Sequence, residues 1–171
     1  MKIISEKEAL KRLDKIKTAY RSEILPYEAK AKNCLTCETQ GACCLDAHFV
    51  NVHITRLEAL AMCDSLDKLD EEKQVEIKKR ITQTVEKYNL TDSGDTFSQT
   101  FACPLFEKGT GCLVHNVKPV PCLQHACYER KEDLPPDELQ EETEAKIERL
   151  NQQTYGNSKW LPLPLWLKRL E

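Results

Sequence analysis

Apolar side chains recur at three- and four-residue intervals in three stretches of this chain, the spacing that lines one face of a helix. Leu10, Leu13, Ile16 or Lys17, Tyr20 and Ile24 form the first stripe, until Pro26 disturbs it. Ser5-Glu6-Lys7-Glu8 stands ahead of it in the Ser-x-x-Glu form of a capping box, so the helix is predicted to begin at Ser5. Internal packing is the usual use of such a stripe, ahead of partner binding. Thr55-Arg56-Leu57-Glu58 repeats the box before Leu57, Leu60, Ala61 and Asp64, with Cys63 inside the same turns and assigned to the core as an isolated cysteine. A third helix is predicted from about Asp70 to Tyr88, with Ile77, Ile81, Val85 and Tyr88 inward and its many charges on a solvated outer face.

Between these stretches the pattern changes. Ala47 to Ile54 alternates, which predicts a short strand with His48, Val50, Val52 and Ile54 on one face and His53 on the other. Asn89 to Gln99, with Asp92-Ser93-Gly94-Asp95, reads as a polar loop. Leu134-Pro135-Pro136-Asp137-Glu138 opens a fourth helix, since proline suits the first turn and acidic residues suit its positive end; it is predicted to end near Tyr155-Gly156. Trp160 to Leu167 is too apolar to be left in water, and its two prolines predict an extended tail docked across the helices rather than a proline-rich recognition motif.

At 171 residues the chain is long enough to bury a core without covalent staples, and it reads as one domain, residues 1–171. The predicted class is mainly α, with helices packed around an irregular cysteine-rich core of about residues 34–127 and at most a short strand or hairpin. A net charge of -3 supplies no basic field for phosphate backbones, so nucleic acid is not an expected partner. The Trp160–Leu167 run is too short to span a bilayer. Met1-Lys2-Ile3-Ile4-Ser5-Glu6 has neither a long apolar run nor a small-residue cleavage site, which predicts a cytoplasmic protein. In that compartment thiols stay reduced, and clustered cysteines are ligands or catalytic groups more often than disulfides.

Eight of the nine cysteines fall in two segments. The first holds Cys34-x-x-Cys37 and then Gly41-Ala42-Cys43-Cys44. The second holds Cys103-Pro104, Gly111-Cys112, Lys118-Pro119-Val120-Pro121-Cys122 and Cys127. A C-x-x-C turn aims two sulfurs at one point, as in zinc knuckles and iron-sulfur loops. Adjacent Cys43 and Cys44 reach one ion only through a sharp turn, for which Gly41 gives freedom; otherwise they bridge two metals, or one ligates while the other packs or does redox chemistry. Proline and glycine through the second segment predict loops of the kind that wrap a metal. Cys34, Cys37, Cys43, Cys44, Cys103, Cys112, Cys122 and Cys127 are thus the candidate ligands of a site in two halves.

These cysteines resemble those of the bacterial YkgJ-like, or CxxCxxCC, cysteine-cluster family, whose later pattern is Cys-x-Ile-Tyr-x-x-Arg-Pro-x-x-Cys. Cys112-Leu113-Val114-His115-Asn116-Val117-Lys118-Pro119-Val120-Pro121-Cys122 follows that register. The resemblance covers roughly Cys34 to Cys127, with His115 for Tyr, Lys118 for Arg, Leu123 for a frequent Arg and a wider gap between Cys37 and Cys43. It implies zinc or iron chelation, and a similar arrangement in flagellin lysine methylase implies an iron-sulfur cluster. Lys118 keeps the charge of the family's arginine but loses its bidentate fork.

All-thiolate ligation excludes magnesium and calcium. Neither the double-knuckle zinc ribbon nor the bacterial ferredoxin spacing is present. Eight thiolates exceed the need of one zinc or one four-iron cluster, so there are two metals or some cysteines are spare. The expected cofactor is an iron-sulfur cluster, 4Fe-4S by the resemblance, or zinc. Three roles follow: a structural or binding module, a redox or methyl-transfer-type enzyme, or a metal-delivery protein. No Gly-rich cofactor loop, H-E-x-x-H or catalytic pairing marks an enzyme in the sequence.

Overall fold

The computed structural model describes residues 4–125 and 127–170. Among them are seven α-helices: α1 (Glu6–Glu28), α2 (Ala42–Leu45), α3 (Arg56–Leu66), α4 (Glu71–Lys87), α5 (Val120–Gln124), α6 (Asp137–Tyr155) and α7 (Leu163–Leu170). Four two-residue strands, β1 (His53–Ile54), β2 (Phe106–Glu107), β3 (Gly111–Cys112) and β4 (Leu161–Pro162), make two antiparallel ladders, β1 with β4 and β2 with β3. The protein is mainly helical.

The long helices start where their caps dictate. Ser5 accepts the Glu8 amide at 3.4 Å, but the Glu8 carboxylate turns outward to Arg12. The Thr55 box closes on both sides: the Glu58 amide donates to Thr55 Oγ1 and the Thr55 amide to Glu58 Oε2, each at 3.2 Å. Asp70 caps α4 by accepting the Lys73 amide at 2.9 Å. Gly156, at φ 73°, ends α6.

Two apolar clusters make the core, and α3 stands between them. On one side Leu57 packs with Leu13, Tyr20 and Ile24 of α1 and with Ile147 and Leu150 of α6. On the other, Ala59, Met62 and Leu66 pack with Ile77, Ile81 and Val85 of α4 and with Leu163, Leu165 and Leu167 of α7. A helix buried on both sides shows no single stripe. The burial of Leu57, Glu58, Ala59, Met62 and Leu66, with Asp64 exposed, therefore replaces the predicted Leu57-Leu60-Ala61-Asp64 face. Cys63 is half-buried and packs against the α4–α7 side of the core. The α1 stripe runs through Ala9, Leu13, Lys17, Tyr20 and Ile24, so Lys17 takes the inward position and Ile16 its flank.

Two expectations fail for identifiable reasons. The alternation from Ala47 to Ile54 is broken by a turn in which Asp46 accepts the backbone amides of Phe49 and Val50 and, through Oδ1, that of His48. The ladder shrinks to His53–Ile54, both buried, while His48 is exposed. The predicted faces of His48 and His53 are thus reversed. The tail docks as expected but is extended only at β4, where His53 faces Pro162 and Ile54 faces Leu161. From Leu163 it is helical, because Pro164 lies in the first turn of α7, where its missing N–H leaves no bond unmade. Burying Leu163, Leu165 and Leu167 against α3 and α4 contributes about 1.5–3 kcal/mol for each side chain.

Candidate functional site

The eight candidate cysteines lie on short segments outside the long helices, and seven of them line one cavity. Cys34 opens a single 3-10 turn, Cys34–Thr36, started by Asn33 Oδ1, which accepts the Leu35 amide at 2.9 Å. The Cys37 amide then donates to the Cys34 carbonyl at 3.4 Å, which folds the C-x-x-C back on itself. Gly41 turns the chain into α2 at φ 81°, so that Cys43 and Cys44 lie in one helical turn. A Cβ at Gly41 would stand 2.3 Å from a Phe106 ring carbon. Glycine is needed here for both the left-handed backbone and the close approach.

Phe106 belongs to the second segment, and it is not the sole link between the halves. The Cys103 amide donates to the Cys44 carbonyl at 2.7 Å. The β2–β3 hairpin sets Phe106 opposite Cys112, and the Leu113 amide donates to the Leu105 carbonyl at 3.0 Å. Cys122 lies in α5, which starts after Pro119 with Pro121 in its first turn, so a stretch expected to be loop is partly helical. The fully buried Gln124 anchors α5, accepting from the Tyr20 hydroxyl and donating to the Pro135 carbonyl at 2.7 Å. The Cys127 carbonyl accepts the Lys32 amide at 2.7 Å, returning the chain to the first segment.

A cavity of about 1120 Å³ opens between these segments. Its wall includes Cys34 from the first turn, Cys43 and Cys44 from α2, Cys103 and Cys112 from around the hairpin, Cys122 from α5, and Cys127 beyond it. Cys37 stands off that wall, its sulfur 3.5 Å from Thr39 Oγ1. The eight are unpaired thiols; Cys43 is exposed and the other seven half-buried. Among the described residues no group of three or more histidine, cysteine, aspartate or glutamate side chains is already arranged as a metal-ligand set.

The thiols differ in acidity. A hydrogen bond with Cys44 brings the Cys43 thiol down to about 6, and the same contact, with burial and the nearby Cys103 and Cys122, pushes Cys44 up. Burial pushes Cys103 up to about 11 and raises Cys112, Cys122 and Cys127 as well. The hydrogen bond with Thr39 lowers Cys37. Four cations act on these sulfurs in the lowering direction: Arg80 on Cys103, Lys118 on Cys43, Cys112 and Cys122, Lys17 on Cys122, and Lys32 on Cys37.

Three residues beside the thiol-bearing segments had no site role in the sequence reading. Lys17 is 5% exposed; its ammonium donates to the Val117 and Lys118 carbonyls at 3.2 and 2.9 Å and faces Glu58 Oε1 at 3.2 Å as a charge contact. It thereby pins the loop between Cys112 and Cys122 to α1 and α3. Arg80 holds the hairpin through the Phe106 carbonyl at 2.6 Å. His53, also 5% exposed, lies on the cavity wall stacked on Phe97 at 4.3 Å. Its Nδ1 meets the Asn51 carbonyl at 2.6 Å and so carries the proton, leaving Nε2 a buried acceptor without a hydrogen bond. The α1 stripe allowed an inward Lys17, and the alternating stretch named His53 without a site role; nothing in the spacing marked Arg80. Comparison of the chain with protein-family models, curated proteins and solved structures finds no match.

Proposed function

We propose that this protein is a cytoplasmic metal-binding protein that holds an iron-sulfur cluster or zinc through Cys34, Cys37, Cys43, Cys44, Cys103, Cys112, Cys122 and Cys127. The observation that carries the proposal is the gathering of seven of these unpaired thiols, from four separate segments, on the wall of one cavity, with Cys37 hydrogen-bonded beside them. A core that needed only small apolar residues would not leave so many thiols half-exposed around open space. The donor type suits thiophilic metals, and the cations Lys17, Arg80, Lys118 and Lys32 offset the charge that ligation as thiolates creates. The resemblance to the CxxCxxCC family favours iron-sulfur, with zinc close behind. A bound iron-sulfur cluster would supply one-electron chemistry; zinc would supply a structural tie.

Because no ligand set is preformed among the described residues, loading draws the sulfurs together. The cavity exceeds the space one ion needs, which favours the enzyme alternative over a purely structural role. Delivery of metal is favoured instead by the exposed Cys43. A cytoplasmic location follows from the need to keep eight thiols reduced. Separately, no helix among the described residues is long and apolar enough to cross a membrane.

The test is the visible spectrum, metal content and acid-labile sulfide of protein made and purified without oxygen. A brown protein that bleaches on reduction with dithionite supports the iron-sulfur form. Colourless protein with stoichiometric zinc and no sulfide supports the zinc form, and folded protein that takes up neither refutes the proposal.

A further inference from the structure

We propose that the cavity is also a binding site for a small organic anion, an apolar body ending in a carboxylate or phosphate, whose charged end is held by Arg21 and Lys118.

These two cations are unlike the others that the fold covers. Among the described residues, the buried or half-buried Lys17, Lys73, Arg80 and Lys168 each face a glutamate, and the half-buried Arg56 lies over the Tyr155 ring. Arg21 and Lys118 are half-buried as well, yet neither has a carboxylate contact or an aromatic face beneath it among those residues. Like charges that have lost part of their hydration raise each other's energy, and an anion between them offsets that cost.

Both residues line the cavity, and so does His115. Burial lowers the His115 imidazole first, and Lys118 and Arg21 add to it, which sets both charges near one ring on that wall. The Lys118 charge is also felt by Cys43, Cys112 and Cys122, all of them cavity residues. Helix α1 fixes the arrangement. Arg21 Nη2 donates to the His115 carbonyl at 2.8 Å, and Lys17, one turn earlier, donates to the Val117 and Lys118 carbonyls at 3.2 and 2.9 Å. Three backbone oxygens of one loop are thus tied to one helix, while the Lys118 ammonium makes no hydrogen bond among the described residues. Cations held in place before a ligand arrives lose little freedom on binding it. Glu28 and Glu144 also reach the wall, but neither forms an ion pair with Arg21 or Lys118, and Glu144 Oε1 accepts from Gln140 Nε2 at 2.8 Å.

Other parts of the wall suit an apolar body. Phe49, Phe97 and Leu35 line the cavity while 78%, 62% and 56% exposed, apolar surface that the chain itself leaves uncovered. At about 1120 Å³ the space stands just above the range of roughly 300–1,000 Å³ usual for small-molecule sites, so an organic ligand fits beside the thiols. Neither the cations nor the rings are metal ligands, and the anion site therefore stands or falls apart from the metal.

The experiment uses three probes of similar shape, naphthoate, naphthyl phosphate and the uncharged naphthalenemethanol. Each is titrated by calorimetry, at constant ionic strength, into reduced protein whose metal content is known. One equivalent of naphthoate or naphthyl phosphate is expected to bind at least about tenfold more tightly than the alcohol, and the tighter of the two identifies carboxylate or phosphate as the preferred group. Lys118→Gln and Arg21→Gln should each weaken that anion by about tenfold, as loss of a charged hydrogen bond implies, and leave the alcohol unchanged. Lys15→Gln, exposed on α1 and away from the cavity, should leave all three probes unchanged. Circular dichroism checks that each variant is folded, and Lys118→Gln, which removes no hydrogen bond of the ammonium, carries the test should Arg21→Gln unfold. Equal binding of anions and alcohol, full retention of the anion by folded Lys118→Gln, equal weakening by Lys15→Gln, or folded wild type that binds neither anion overturns the anion site and leaves metal binding untouched. Binding of the anion as expected by protein that takes up no metal supports the site while the metal reading fails.

Discussion

Removing the charge of Lys17 tests whether the core and the thiol-bearing loop are one mechanical unit. In Lys17→Met the aliphatic volume stays, but the Glu58 carboxylate, whose side chain is 1% exposed, loses its counter-ion. The Val117 and Lys118 carbonyls lose their donor at the same time. Breaking a buried pair from one side costs about 3–5 kcal/mol, because the remaining charge stays desolvated. That is a large part of a typical domain stability of roughly 5–15 kcal/mol. At about 2–4 °C per kcal/mol for a chain of this size, the melting temperature should fall by roughly 6–20 °C. Glu58 keeps its capping bonds to Thr55, which places the expectation toward the lower end. The assay is thermal and urea unfolding of metal-free, reduced protein followed by circular dichroism. Lys17→Met/Glu58→Gln serves as the partner variant and should recover much of the loss, since the uncompensated charge is gone. Alkylation of Cys112 and Cys122 should accelerate in the single variant as their loop loosens. A single variant within about 1 kcal/mol of wild type, or a double variant no better than the single, would refute the reasoning.

Four further outcomes are expected. Gly41→Ala combines a left-handed backbone with a Cβ 2.3 Å from the Phe106 ring; it should cost about 2–5 kcal/mol in urea unfolding, and Phe106→Leu should restore part of that. Stripping the metal should lower the melting temperature by at least about 10 °C and speed alkylation of Cys34, Cys37 and Cys43; unchanged melting after verified removal would count against coupling of metal and fold. Cys63→Ser should lower stability without changing metal uptake, because Cys63 packs with α4 and α7 away from the cavity; loss of metal from folded protein would overturn that placement. The Arg130 guanidinium, with Lys30 behind it, holds the Asp133 carboxyl below the usual carboxylate range, a contribution present above pH about 4 and lost as pH falls through the lowered value. Acid unfolding of Asp133→Asn should therefore show a weaker pH dependence than wild type in that window, and identical profiles would show that the pair contributes nothing.

The sequence by itself determined the features that depend on near neighbours. Ser5, Thr55, Asp70 and the Pro135-Pro136 pair start helices where local hydrogen bonding and backbone restriction place them, and α4 buries Ile77, Ile81 and Val85 because one face suffices for a helix at the edge of the core. The eight candidate cysteines and the need for freedom at Gly41 were legible for the same reason, since spacing and turn chemistry are local properties. What the tertiary structure decided involves residues distant in the chain. The pairing of His53–Ile54 with Leu161–Pro162 reversed the faces of His48 and His53, and the bed formed by α3 and α4 made the tail a helix from Leu163. Lys17 reaches carbonyls 100 and 101 residues away, an inward charge that periodicity permits but cannot explain. Spacing lists donors along the chain, but the neighbours of each sulfur are set by packing between segments that spacing does not see.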